Sequence, residues 1–268
     1  MKTTIHPTLK PLASSGFFCL LLVVIGVLTF SVSSCEKDKT DPQSNNMFPV
    51  PSYPQPSDAD AVLVAVKAST PFAMQMPNVP GMPGGDTEIT MEYGMGVALF
   101  KGNAQAGSVK LNNSELKFTN GVHMWQPDFS DLTNPSSISG INLSGNISWE
   151  VTSPNITKTL SGLPGMPKVN SGKVVTKADG YTLTNTSISG ATKILYGVYS
   201  SNGKYVLKEK EGNSTSITFT KEELAELGTT KNGIIQANAY VITNETIEGK
   251  KVYFVRQSSY SVTNVEIK

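Results

Sequence analysis

The chain has 268 residues, with 22 basic and 21 acidic side chains, a formal net charge of +1, two histidines and two cysteines. A near-neutral balance with a single arginine, Arg256, offers neither an electrostatic hold on nucleic acid nor the planar fork that reads phosphate and guanine edges, so no nucleic-acid partner is expected. So few imidazoles and thiols also argue against most zinc sites and against Ser–His or Cys–His catalytic pairs, and no metal or cofactor is expected.

Residues 1–34 read as a secretory signal. Lys2 and Lys10 give a positive start without an acidic residue, and the apolar run 17–30 (FFCLLLVVIGVLTF) falls short of the roughly 20 residues a membrane span needs. Val32, Ser33, Ser34 and Cys35 follow. This order, aliphatic, small, small, cysteine, resembles the lipobox of bacterial lipoproteins. The resemblance implies that the Cys35 thiol takes a diacylglycerol, that the chain is cut before Cys35, and that the new amine is acylated. The membrane is then a partner through lipid on Cys35, and several acyl chains on one residue anchor stably where a single chain is marginal. The charged stretch 36–41 (EKDKTD) is similar to the tether of some Gram-negative surface lipoproteins. It implies a lipid-anchored place at the outer membrane, with the cell surface as the finer expectation. Cleavage removes Lys2, Lys10, His6 and Cys19 and takes the net charge to −1. The mature chain then keeps one histidine, His123, and one cysteine, the lipidated one, so it can form no internal disulfide and no thiolate metal site.

Residues 35–57 are polar and then Pro-rich (MFPVPSYPQP at 47–56), which predicts an extended, semi-rigid linker. From residue 58 onward the pattern is strand after strand. The run 61–67 (AVLVAVK) is apolar on both faces, as in a central strand. Ile89, Met91, Tyr93, Met95, Val97 and Leu99 alternate with polar or small residues, a period of two that no helix produces, and Gly94 and Gly96 fall on the opposite face. The segments 109–111 and 116–118 flank Asn112 and Asn113 and predict a hairpin. Short strands are expected at 122–125, 141–143 and 147–151.

A Gly/Pro break at 161–168 (SGLPGMPK) marks the expected domain boundary, giving an N-terminal β-sandwich over 58–165 and a second over 166–268. Strands are expected at 173–177, 181–187, 193–200, 205–209, 216–220, 234–243 and 251–257, with 261–267 continuing the last. That count and spacing resemble an immunoglobulin-like or fibronectin-like sandwich. Thr220, Lys221, Glu222 and Glu223 form a capping box and Gly228 a stop, predicting one short crossover helix over about 220–227, docked through Leu224 and Leu227. The fold class expected is all-β, with two β-sandwich domains.

Candidate contact residues are sparse. His123, Trp125, Asp128 and Phe129 crowd into one segment; they either stack on a sugar ring or partner, or cover a sheet edge. The Met-rich stretch 72–83, with Met74 and Met76, reads as a long irregular loop, either an adaptable contact surface or a flap over its own sandwich. Asp128 and Asp131, with Gln126 and Asn134, match no calcium motif. No G-x-S-x-G, P-loop or G-x-G-x-x-G occurs.

The expected function is therefore a non-enzymatic, lipid-anchored binding or adhesion module for a glycan or an envelope protein. A structural subunit of a surface polymer is the alternative. Some surface pilins resemble this plan, but many of them are matured by a cut after an arginine in the first domain, and the arginine here stands near the C-terminus. A glycoside hydrolase using a carboxylate pair ranks last.

Overall fold

The computed structural model describes residues 56–76, 85–125 and 139–268. The expected signal segment, Cys35 and the expected linker up to residue 55 lie outside the described residues, as do Gln126, Asp128, Phe129, Asp131 and Asn134. The described chain is all-β with one α-helix. In order, it forms β1 (Ala61–Met76), β2 (Gly85–Phe100), β3 (Val109–Leu111), β4 (Ser114–Glu115), β5 (Lys117–Thr119), β6 (Val122–Trp125), β7 (Ile147–Thr152) and β8 (Asn155–Leu160). It continues with β9 (Val174–Val175), β10 (Tyr181–Thr184), β11 (Lys193–Tyr199), β12 (Tyr205–Glu211), β13 (Ser216–Phe219), α1 (Lys221–Leu224), β14 (Thr230–Ile247) and β15 (Lys250–Ile267).

The unbroken apolar run of β1 places it at the middle of a nine-stranded sheet of order β12-β11-β14-β15-β1-β2-β6-β5, with β9 beside the end of β15. β15 flanks it in parallel and β2 antiparallel, and Val62, Leu63, Val64 and Ala65 are buried on both faces. On β2 the period-two pattern buries Tyr93, Met95, Val97 and Leu99 on one face. Gly94 and Gly96 open the other face to close approach: a Cβ on Gly94 would stand 2.0 Å from the Ile141 carbonyl oxygen.

Two smaller layers pack on that glycine-bearing face. The first, of order β4-β3-β7-β8, sets Leu111, Trp149, Val151 and Ile156 against Leu63, Ala65, Ala98 and Phe254. The second, β10 with β13 plus α1, sets Leu183, Phe219 and Leu224 against Ile194, Tyr196, Ile235 and Val262. β15 serves both cores, giving Val252 and Phe254 to the first and Val262, Val265 and Ile267 to the second. The Gly/Pro break falls where the chain passes from one small layer to the other: Leu163 packs on the first core and Val169 on the second.

The capping box forms as its sequence predicts, with Glu223 N donating to Thr220 Oγ1 at 3.3 Å and Thr220 N donating to Glu223 Oε2 at 2.8 Å. Leu224 and Leu227 are buried in the second core, so the helix carries the chain from β13 in the small layer to β14 in the long sheet.

Several local expectations are corrected. Residues 72–76 are not an irregular loop; they extend β1 and pair with 85–89 of β2. Pro71 is tolerated because the pairing of β1 with β15 ends at Ser69 and Tyr260, so its missing N–H faces an edge. Residues 141–143 are not a strand. Ile141 and Leu143 are core anchors on an irregular segment joined to the sheet by a single Gly94–Gly140 bridge. β8, which its polar composition hides, pairs along the whole of β7. The Asn112–Asn113 turn, with φ of 45° and 65°, joins β3 to the two-residue β4, and β5 then crosses to the long sheet.

Candidate functional site

Between the two small layers the long sheet lies open, and its strands bring charged residues there. β1 presents Lys67 and β2 presents Glu92, both part-exposed, and Lys67 Nζ lies 2.7 Å from Glu92 Oε2. Ser258 of β15 stands in register beside Lys67. These three residues form the floor of a groove of about 620 Å³, whose walls carry Asn142 and Ser144 on one side and Met166 on the other.

Each wall is held by hydrogen bonds that satisfy buried backbone. The wall 139–145 is fixed where Ile141 N donates to Gly94 O at 3.0 Å, and Ile141 and Leu143 sink into the first core. Asn112 Nδ2 donates to Asn142 O at 2.8 Å, and Asn142 Oδ1 accepts from Ser144 N at 3.0 Å and from its hydroxyl at 2.6 Å. The wall 162–166 is tied to β15. Arg256 Nη1 donates to Ser161 O at 2.9 Å and Gly162 O at 2.8 Å, and Ser258 Oγ donates to Pro164 O at 2.6 Å. Arg256 is buried, and desolvation pushes its pKa down.

Of the residues singled out in the sequence, His123 and Trp125 are placed near this region, and both are packed. His123 is 2% exposed; its Nε2 accepts from Ala106 N at 3.1 Å, and its ring lies 4.9 Å from Phe118 and 5.7 Å from Phe100. Burial holds the imidazole below its ordinary pKa, and the Leu116 carbonyl works against that shift. Trp125 is half-buried on the first core, and a Cβ on Gly140 would come 2.8 Å from its ring, so it underlies the 139–141 wall. Asp128 and Phe129 lie outside the described residues; Met74 and Met76 lie in the stretch 72–76 of β1, of which only the backbone is described.

Lys67, Glu92, Asn142 and Ser258 were not singled out. One signal was present: Lys67 is the lone charge closing the otherwise apolar run 61–67 of the central strand, and Gly94 stands opposite it. The rest of the groove comes from segments up to 191 residues apart, its floor joined by register (Lys67 beside Ser258, Ser69 beside Glu92) and its walls by the hydrogen bonds above.

Chemically, the groove offers one carboxylate and one ammonium in a pair, an amide, hydroxyls and backbone groups. Among the described residues no group of three or more His, Cys, Asp or Glu side chains is placed to hold a metal, and no helix is long and apolar enough to cross a membrane.

No protein-family model matches the chain, and no curated protein matches it. Among solved structures it is similar to the fibronectin(III)-like modules of Clostridium thermocellum CbhA, at 12% identity and a TM-score of 0.23, over 65% of this chain and 85% of that one. An overlap of that extent carries no argument, and the all-β architecture rests on the strand pairing itself.

Proposed function

We propose that this chain is a non-enzymatic binding module of the cell envelope, held at the outer membrane by lipid on Cys35, and that its ligand lies in the groove between the two small layers. The observation that carries the reading is the groove itself: a concavity of about 620 Å³ with a part-exposed ion pair on its floor and hydrogen-bonded, glycine-rich walls. Concave surfaces with a few convergent polar groups are where ligands are held.

Binding is favoured over hydrolysis by the lining. Glu92 is the one carboxylate among its described residues, and it is engaged by Lys67, whereas hydrolysis by a carboxylate pair needs two acids flanking the bond. The anchor rests on the Val32-Ser33-Ser34-Cys35 pattern.

A glycan-array screen of the purified chain, beside Ser144→Trp, tests the groove. Saturable binding that the tryptophan blocks supports the reading; binding indifferent to Ser144→Trp rejects the groove as the site. Labelling cells with a radioactive fatty acid tests the anchor. The label enters the wild-type chain and is absent from Cys35→Ser, and equal labelling of both would reject lipidation at Cys35.

A further inference from the structure

The two charges on the groove floor cancel: Lys67 and Glu92 are paired at 2.7 Å. Arg256 does not cancel. It lies on the same strand as Ser258, two residues away and on the same face, and its guanidinium is one hydrogen bond from Gly162 of the groove wall. No carboxylate among the described residues pairs with it; the acceptors of Nη1 are the carbonyls of Ser161 and Gly162 and the Ser161 hydroxyl. Its Nε–H has no acceptor among the described residues. Nor has the hydroxyl of Ser69, which is 1% exposed, shares the face of Lys67 and stands in register with Glu92. Among the described residues, the surroundings of the groove thus hold one buried positive charge without a carboxylate partner and two donors without acceptors, while the one lining carboxylate is taken.

Building on the groove reading above, we infer that the ligand is an acidic glycan, a chain of sugars bearing carboxylates of the uronic-acid type. The match is one of charge. A lone cation within about 12 Å of a bound carboxylate, at an effective dielectric near 20, favours the acid over its neutral counterpart by roughly tenfold in affinity. A glycan fits the groove better than a peptide strand does. β1 is paired on both sides at Lys67, and the strand edge that the groove reaches, at Gly94, already accepts from Ile141 N. A peptide strand would find no run of free backbone groups there to pair with.

The experiment is calorimetric titration of the full chain with oligogalacturonate and with its methyl ester, the same sugars without the charge. The expected result is about tenfold tighter binding of the acid, blocked by Ser144→Trp. Glu92→Gln, which frees Lys67 and removes the one negative charge among the described lining residues, should tighten binding of the acid several-fold more than that of the ester. Arg256→Met, checked for native circular dichroism, should bring the two affinities together; if it does not fold, Glu92→Gln decides. Equal affinity for acid and ester, both blocked by Ser144→Trp, overturns the charge inference and leaves the groove standing. Binding that Ser144→Trp does not affect, or no binding of the acid, overturns the inference, the former taking the groove reading with it.

Discussion

Arg256 Nη1 donates to the Gly162 carbonyl at 2.8 Å, tying the middle of β15 to the connector between the two small layers. The bond, with its partner to Ser161, turns a Gly/Pro-rich stretch into a fixed wall. Arg256→Met removes these donors and leaves carbonyls without partners. It is expected to lower unfolding stability by about 1–3 kcal/mol in a urea titration. Arg256→Lys should recover only part of that, because one ammonium cannot reproduce the planar fork. An unchanged midpoint in both variants would show that the wall does not depend on the arginine.

Acid should act first through His123. The imidazole is buried, accepts from Ala106 N, and has its pKa held below the ordinary value. Phe100, Phe118, Ala106 and Leu116 surround it, and no charged side chain among the described residues pairs with it. A folded-state pKa below the unfolded one gives stability that is complete above the unfolded value and lost as pH falls through the folded one. Thermal unfolding from pH 7 to pH 5 should therefore show a falling Tm, and His123→Gln should flatten the fall. Asp58 and Asp60, whose pKa values are lowered by hydrogen bonds from Lys251, contribute their own loss only in the more acidic carboxylate range. A wild-type slope identical to that of His123→Gln between pH 7 and 5 would contradict the assignment.

Gly94 is the hinge of the 139–145 wall. A Cβ there would meet the Ile141 carbonyl oxygen at 2.0 Å and the Leu143 side chain at 3.2 Å. The carbonyl is backbone and cannot swing away alone, so Gly94→Ala should push the wall off β2. The expected cost is about 1–3 kcal/mol, with loss of groove binding. Gly172→Ala, where a Cβ meets nothing within 4 Å, serves as a control and should be close to neutral.

Much of this fold is legible in the amino-acid sequence. β2 and β7 announced themselves by strict alternation, and α1 by its capping box, because these signals are local. What escaped depended on distant partners. The continuity of β15 runs through Arg256, Gln257, Ser258 and Ser259, polar residues that become buried only because strands pair on both sides of them. β8 is too polar to stand out until β7 lies beside it. The groove is the extreme case: Lys67, Glu92, Asn142, Met166 and Ser258 share no motif, the strand residues being brought together by register and the two wall residues by hydrogen bonds from distant side chains and backbone.

The shared strands make a prediction about cooperativity. β14 and β15, 18 residues each, pair along most of their length and carry side chains into both cores. Neither core can open without stripping the other's sheet. Phe254→Ala in the first core and Phe219→Ala in the second should each cost about 3–5 kcal/mol, and both should move one common unfolding transition. Two separable transitions in calorimetry, each sensitive to one variant, would show that the cores melt independently.

Whether ligand occupies the groove between the two layers is decided by hydrogen-exchange mass spectrometry of the full chain, with and without saturating oligogalacturonate. Ligand in the groove should slow exchange in 139–145 and 162–166 and leave the outer strands β8 and β12 unchanged. Slowing confined to segments away from these walls, or none at a concentration where calorimetry shows binding, would contradict binding in the groove.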